Sequence, residues 1–285
     1  MCRQVGETPE LVPTLFGLWR FYFAQPQPQT AREIGETLLR LARRAADPAH
    51  AVIARYALGG TEFYLGALPA ARQHLEEGIA RSTPDQRRTP AFRLGQDPDV
   101  GCRAYAARVL WLLGYPEQAL AHIHEALALA HELSHPFSLA FARAIAAVVS
   151  HFCRNVPAVC EHAEAAVALA TAQGFPFWVA YGTSFHGWAL AMSGQAKEGL
   201  TLLHQGIADY QATGSAVFVP YFYTMLAEVC AHLGHTEDGL QALAEAHSLV
   251  EQHEERWWEA EVCRLRGVLL LRQTGTPQAE AETWL

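Results

Sequence analysis

The chain has 285 residues, 51% of them apolar, and a net charge of −8. That supplies enough apolar surface for a large core, while the acidic balance and a single lysine, Lys197, exclude the concentrated basic face that phosphate-backbone binding needs. No apolar run reaches the roughly 18 residues of a membrane span and the polar opening MCRQVGETPE lacks signal-peptide order, so a cytoplasmic protein with neither a nucleic-acid nor a membrane partner is expected.

The first segment, GLWRFYFAQPQPQTAREIGETLLRLARRA, predicts two helices broken at Gln25-Pro26-Gln27-Pro28, because proline fixes φ and ends the helix before it. Five related phrases follow: YLGALPAARQHLEEGIA, LLGYPEQALAHIHEALA, CRNVPAVCEHAEAAVALA, MSGQAKEGLTLLHQGIA and HLGHTEDGLQALAEAHSLV. With the turn residue as anchor, Gly66, Gly114, Asn155, Gly194, Gly234 and Gly275 lie 48, 41, 39, 40 and 41 residues apart.

Around these anchors small residues recur in register. Gly59, Ala107, Val148, Gly187 and Ala227 stand seven before, and Ala71, Ala119, Cys160, Gly199 and Gly239 five after. Gly78, Ala126, Val167, Gly206 and Ala246 stand seven beyond those, with Leu75, Ile123, Leu203 and Leu243 between them as packing volume and Glu164 as the exception. Small residues at these places let two antiparallel helices approach closely. The pattern resembles the tetratricopeptide repeat of about 34 residues, with HEAT-type repeats of about 40 to 47 as the competing period; the recurring turn glycine and the small residue after it favour the former. The expected fold is all-α, a right-handed superhelical solenoid of about six to seven helix-turn-helix units forming one domain over 1–285.

Ser82 to Val100, STPDQRRTPAFRLGQDPDV, reads as an inserted loop. The connectors ELSHPFS, QGFPFW, TGSAVFVPY and HEERWWE place aromatics beside breaks, where they read as wedges between repeats, and Gly174 reads as a helix C-cap. Both ends read as truncated repeats, since an array normally carries polar capping units.

The chain's chemical motifs are few. HELSH, His131 to His135, matches HExxH, which on one helix would bind zinc with Glu132 as base. Pro136 turns His135 out of helical geometry and no third ligand follows, so no metal or other cofactor is expected there. His151, Cys153 and Cys160 read as ordinary packing, and four of the six cysteines (Cys102, Cys160, Cys230, Cys263) as small hydrophobes on helix faces. Phosphate-binding glycine loops and the GxSxG elbow do not occur, and no catalytic residue is nominated.

Counting back from the anchors nominates Phe16, Arg20, Tyr56, Phe63, Arg108, Trp111, Phe152, Tyr181, Trp188, Tyr221 and Glu228 as lining a concave groove built from the first helix of each unit. Aromatic and arginine side chains are enriched at binding hot spots. With Arg20 and Arg108 exposed there, an acidic or C-terminal-carboxylate peptide would be the natural ligand.

The phrases PTLFGLWRFY, FRLGQDPDVGC, WLLGYPEQALA, ELSHPFSLAFA, GFPFWVAYGT and ERWWEAEVCRLRGVLLL resemble the C-terminal tetratricopeptide region of bacterial signalling proteins that join a class III adenylate or guanylate cyclase to a STAND-type ATPase. Asp99 departs from the family phrase, where glycine is expected after GQDP. The resemblance implies a sensing or scaffold module and carries over no catalytic residue. The expected function is therefore a non-catalytic scaffold that binds a peptide or a neighbouring domain, such as a cyclase or ATPase. A small-molecule sensor or unorthodox enzyme using the aromatic groove is the alternative, and a spacer that self-associates through its ends is a third reading.

Overall fold

The computed structural model describes residues 10–83, 94–273 and 281–284. Among them are thirteen α-helices and no strand: α1 Leu11–Ala24, α2 Pro28–Ala45, α3 Pro48–Tyr64, α4 Leu68–Arg81, α5 Pro98–Leu112, α6 Pro116–Leu133, α7 Pro136–Phe152, α8 Val156–Gln173, α9 Pro176–Met192, α10 Ala196–Ala212, α11 Val219–His232, α12 Thr236–His253 and α13 Glu259–Arg272. Nine of these helices open with proline in the first or second position, where the missing N–H would have had no partner. The described residues up to 138, without 64–66, make one compact unit; 64–66 with those from 139 onward make a second.

Within each unit neighbouring helices pack against one another: α1 on α2, α4 on α5 and α5 on α6 in the first, and the run from α8 to α13 in the second. In the second unit the first helices of successive repeats also touch, α9 on α11 and α11 on α13. That hairpin-on-hairpin stacking is the helical repeat arrangement expected from the sequence.

The turns set the cadence. Gly114, Ser134, Arg154, Gly174, Gly194, Gly214, Gly234 and Glu254 all have left-handed backbone, one every twentieth residue, and Ala46 and Gly66 are spaced alike. Each reverses the chain after one helix. The residue equivalent to the turn glycines is thus Arg154, with φ +56°, and not Asn155, which caps α8 by accepting from Ala158 N–H.

This moves one repeat by a single position and regularises the array: the anchors 66, 114, 154, 194 and 234 are 48, 40, 40 and 40 apart. Ala147, Val159, Ala163 and Ala166 then replace Val148, Cys160, Glu164 and Val167 in the repeat pattern, and all four replacements are fully buried. Glu164 is exposed and Cys160 half-buried, as their new register requires.

Part of the expected insertion is helical. Asp97 caps α5 by accepting from Asp99 and Val100 N–H, and Pro98 to Val100 form the first turn. Asp99 lies inside that turn with its carboxylate on Arg103 Nε (3.1 Å) and Ser82 Oγ (2.8 Å), so glycine is not needed there. Residues 84–93, the opening 1–9 and the anchor Gly275 lie outside the described residues.

Candidate functional site

The first helices of the repeats are hydrophobic nearly all round, which is the pattern of a helix covered on several sides. Between Pro98 and Leu110 only Arg103 of α5 escapes full burial, and between Val219 and Cys230 only Tyr223 of α11 does. Nine of the eleven nominated residues are accordingly buried: Phe16, Tyr56, Phe63, Arg108, Phe152, Tyr181, Trp188, Tyr221 and Glu228. Arg20 and Trp111 keep partial exposure.

In the first unit the structure gathers Phe16, Trp19, Tyr56, Phe63 and Tyr105. Phe16 stacks on Trp19 at 5.4 Å and Tyr56 lies 5.7 Å from Tyr105. Trp19 Nε1 donates to Thr61 Oγ1 (3.0 Å), and Gln96 Nε2 donates to Tyr56 Oη (3.1 Å), whose phenol burial pushes up. The guanidinium of Arg108 lies 4.0 Å from the Tyr105 ring centre and 4.7 Å from that of Phe63. Its side chain is fully enclosed, so of the two arginines proposed to grip a carboxylate only Arg20 offers any surface. Arg20 lies over the Phe137 ring at 4.9 Å, and burial pushes its guanidinium below the usual range.

The second unit contains a charged cluster of a different kind. Glu228 on α11 accepts both Arg154 amines, Nη1 to Oε2 at 2.8 Å and Nη2 to Oε1 at 2.7 Å. Trp188 Nε1 donates to Oε2 at 2.9 Å, and His151 Nε2 stands 3.4 Å away. Tyr221 Oη lies 2.7 Å from the other imidazole nitrogen, Nδ1. Burial alone would raise the Glu228 carboxyl, but the hydrogen bonds and charges of His151 and then Arg154 outweigh it and hold the group down at about 2. Arg154 remains half exposed and lies 4.0 Å from Glu261, which Arg264 also contacts at 2.6 Å.

Rings fill the space beside this cluster: Trp258 stacks on Phe152 at 5.2 Å, and Trp257 packs 5.2 Å from Tyr221. The connector aromatics are thus wedges between helices. Glu255, with no exposed surface, accepts from Phe218 N–H and from Trp257 Nε1 (2.7 Å). Between α10, α11 and α12 lies a groove of about 590 Å³ lined by Leu200, His204, Ile207, Tyr223, Leu226 and Gln241 among others. Counting along the first helices did not nominate it, because second helices build most of its walls.

HELSH does not lie on one helix. Ser134 is left-handed between the two histidines, His131 is exposed at the end of α6, and His135 is buried, its Nδ1 2.9 Å from Ser138 Oγ. That hydroxyl also accepts from Asp97 N–H (2.9 Å), so His135 ties together two helix starts. Cys102 and Cys230 are buried as expected, Cys160 and Cys263 half-buried, and Cys153 exposed.

No family model matches the chain and no curated relative matches it. Solved structures do share its fold. The apo form of RapI aligns with a TM-score of 0.63 at 10% identity over 96% of this chain and 94% of its own. A Rap protein complexed with Competence and Sporulation Factor aligns at 0.61 and 14%, over 95% of this chain and 76% of that one. A STAND protein with a tetratricopeptide repeat sensor from Pyrococcus horikoshii aligns at 0.51 and 13%, over 98% of this chain. This chain spans 43% of that protein's length and 44% of the matching chain in the APC/C hetero-tetramer Cut9-Hcn1, which aligns at 0.61, 12% identical over 93% of this chain. Together with the thirteen helices described, these alignments establish an all-α fold of tetratricopeptide-like helical repeats.

Proposed function

We propose that the chain is a non-catalytic repeat module that binds a polypeptide segment or a neighbouring domain, within a larger signalling protein of the kind its phrases resemble. The observation that carries this reading is the 40-residue hairpin cadence from Gly114 onward, in a chain whose fold is similar to that of a STAND protein with a tetratricopeptide repeat sensor and of a Rap protein complexed with Competence and Sporulation Factor. A cyclase or ATPase domain is the partner the resemblance suggests, and the cytoplasm the compartment. The concave face formed by the first helices is the binding surface in this proposal, with Arg20 and Trp111 as its accessible members.

Panning a random peptide-display library on the chain and re-measuring enriched peptides by fluorescence anisotropy tests this. The expected outcome is a set of peptides whose binding weakens at least about tenfold, or about 1.4 kcal/mol, in R20E or W111A. No peptide above background, together with a small molecule that raises the melting temperature, would instead favour a small-molecule sensor. The groove of about 590 Å³ in the second unit supports that second reading, since its volume is that of a ligand site.

A further inference from the structure

We propose that Cys160, Glu164 and His186 form a binding site for a zinc-like divalent cation on the surface between α8 and α9. One sulfur, one oxygen and one nitrogen from these residues lie within 4.8 Å of one another. Cys160 Sγ is 3.4 Å from Glu164 Oε1, and His186 Nε2 is 3.3 Å from the same oxygen. Around a tetrahedral zinc, with bonds of about 2.3 Å to sulfur and about 2.0 to 2.2 Å to nitrogen and oxygen, ligand atoms stand roughly 3.4 to 3.6 Å apart. Two of the three edges already have that length, and the third closes with a small side-chain movement.

The repeat register supplies the second argument. Positions 160, 164 and 186 recur 40 residues later as Leu200, His204 and Leu226, all three in the wall of the groove between α10, α11 and α12. One repeat earlier they are Leu120, His124 and Ala146. Against these two neighbouring repeats, a thiol and an imidazole replace the two apolar groups here, and a carboxylate replaces the histidine between them. Cys160 and Glu164 are one turn apart on α8, and α9 brings His186 to the same point, so two packed helices fix all three ligands.

Without the cation the Cys160 thiol donates to Glu164 Oε1, and the imidazole nitrogen faces the same oxygen. On binding, the thiol loses its proton to solvent, the sulfur and carboxylate oxygen bond the cation, and the imidazole binds through Nε2 with its proton on Nδ1. Three protein ligands leave a fourth position for water.

Titration of the full chain with Co²⁺, followed by Zn²⁺ competition against a chromophoric chelator, tests the site. The expected result is one equivalent bound, with a thiolate-to-cobalt charge-transfer band. That band disappears in C160L and H186L, which install the residues of the next repeat and so keep its packing; C160S serves in addition should either variant lose its circular dichroism. Zinc affinity falls by more than about 100-fold in each, since losing a second-shell contact alone costs about 10- to 100-fold. C153S leaves affinity and band unchanged. A band that persists in C160L and C160S, zinc affinity within tenfold of the parent in H186L, or no band at millimolar Co²⁺ would each overturn the proposal.

Discussion

Arg154 shows how one residue departs from a local rule and is compensated elsewhere. A side chain in left-handed backbone costs about 1 to 2 kcal/mol, and the equivalent turns use Gly114, Gly194 and Gly234. Here the guanidinium gains two charge-assisted bonds to a buried carboxylate 74 residues away. Rules for local turns favour glycine or asparagine, so the sequence points to Asn155; the reason for arginine lies on α11, out of reach of any window around the turn. The same cluster makes stability depend on pH. The Glu228 carboxyl sits at about 2 when folded, below its ordinary 4.5, so its contribution is complete above about pH 4.5 and is lost as pH falls toward 2. Urea unfolding of E228Q at pH 6 should show a loss of about 2 kcal/mol, less than the usual cost of breaking a buried pair because Arg154 is half exposed. The gap to the parent should shrink between pH 4 and pH 2, and a gap that stays constant would separate Glu228 from the acid sensitivity of the fold.

At the scale of helices, the small-residue pattern was legible because it answers a steric need. A Cβ on Gly199 of α10 would fall on the Ala191 nitrogen and 2.5 Å from the Gly187 oxygen, both main-chain atoms of α9, while one on Gly187 would lie 2.5 Å from Leu203 N. Backbone cannot yield as a flexible side chain can. G199A should therefore force α9 and α10 apart and cost about 2 to 3 kcal/mol. G17A, in α1 with no atom near its added methyl, should instead gain about 0.5 to 1 kcal/mol from helix propensity. Thermal denaturation of both decides the matter, and equal effects would mean that the spacing of α9 and α10 does not depend on glycine. Depth of burial was less legible. Periodicity correctly placed aromatics on the first helices, but these helices are covered on several sides, so Tyr181, Trp188 and Tyr221 became core. The shifted anchor had a further effect: it assigned Cys160 to a close-packing position and Glu164 to an apolar one, which hid their meeting with His186.

From Gly114 to Glu254, the same 20-residue interval between left-handed turns means that each 40-residue block ends in the rotational phase in which it began. Stability in such arrays is close to a sum over repeats and their nearest-neighbour interfaces. Removing 155–194 joins Arg154 to Gln195, so that α7 runs through a turn into α10 exactly as it formerly ran into α8, with the small residues of the hairpin in their proper places. The shortened chain loses Trp188 and its bond to Glu228, but no helix is cut. It should retain its helicity per residue and unfold cooperatively, with a urea m-value lower by about a seventh, in proportion to the 40 of 285 residues removed. Removing one residue more, 155–195, turns every side chain of the following helix by about 100° relative to its neighbour, since an α-helix has about 3.6 residues per turn. Gly199 then no longer faces the preceding helix, and that variant should melt well below the 40-residue deletion. Circular dichroism melts of the pair test whether the interval itself specifies the packing: comparable melting temperatures would show that the hairpins tolerate loss of register, and the repeat would be a similarity of sequence without a mechanical role.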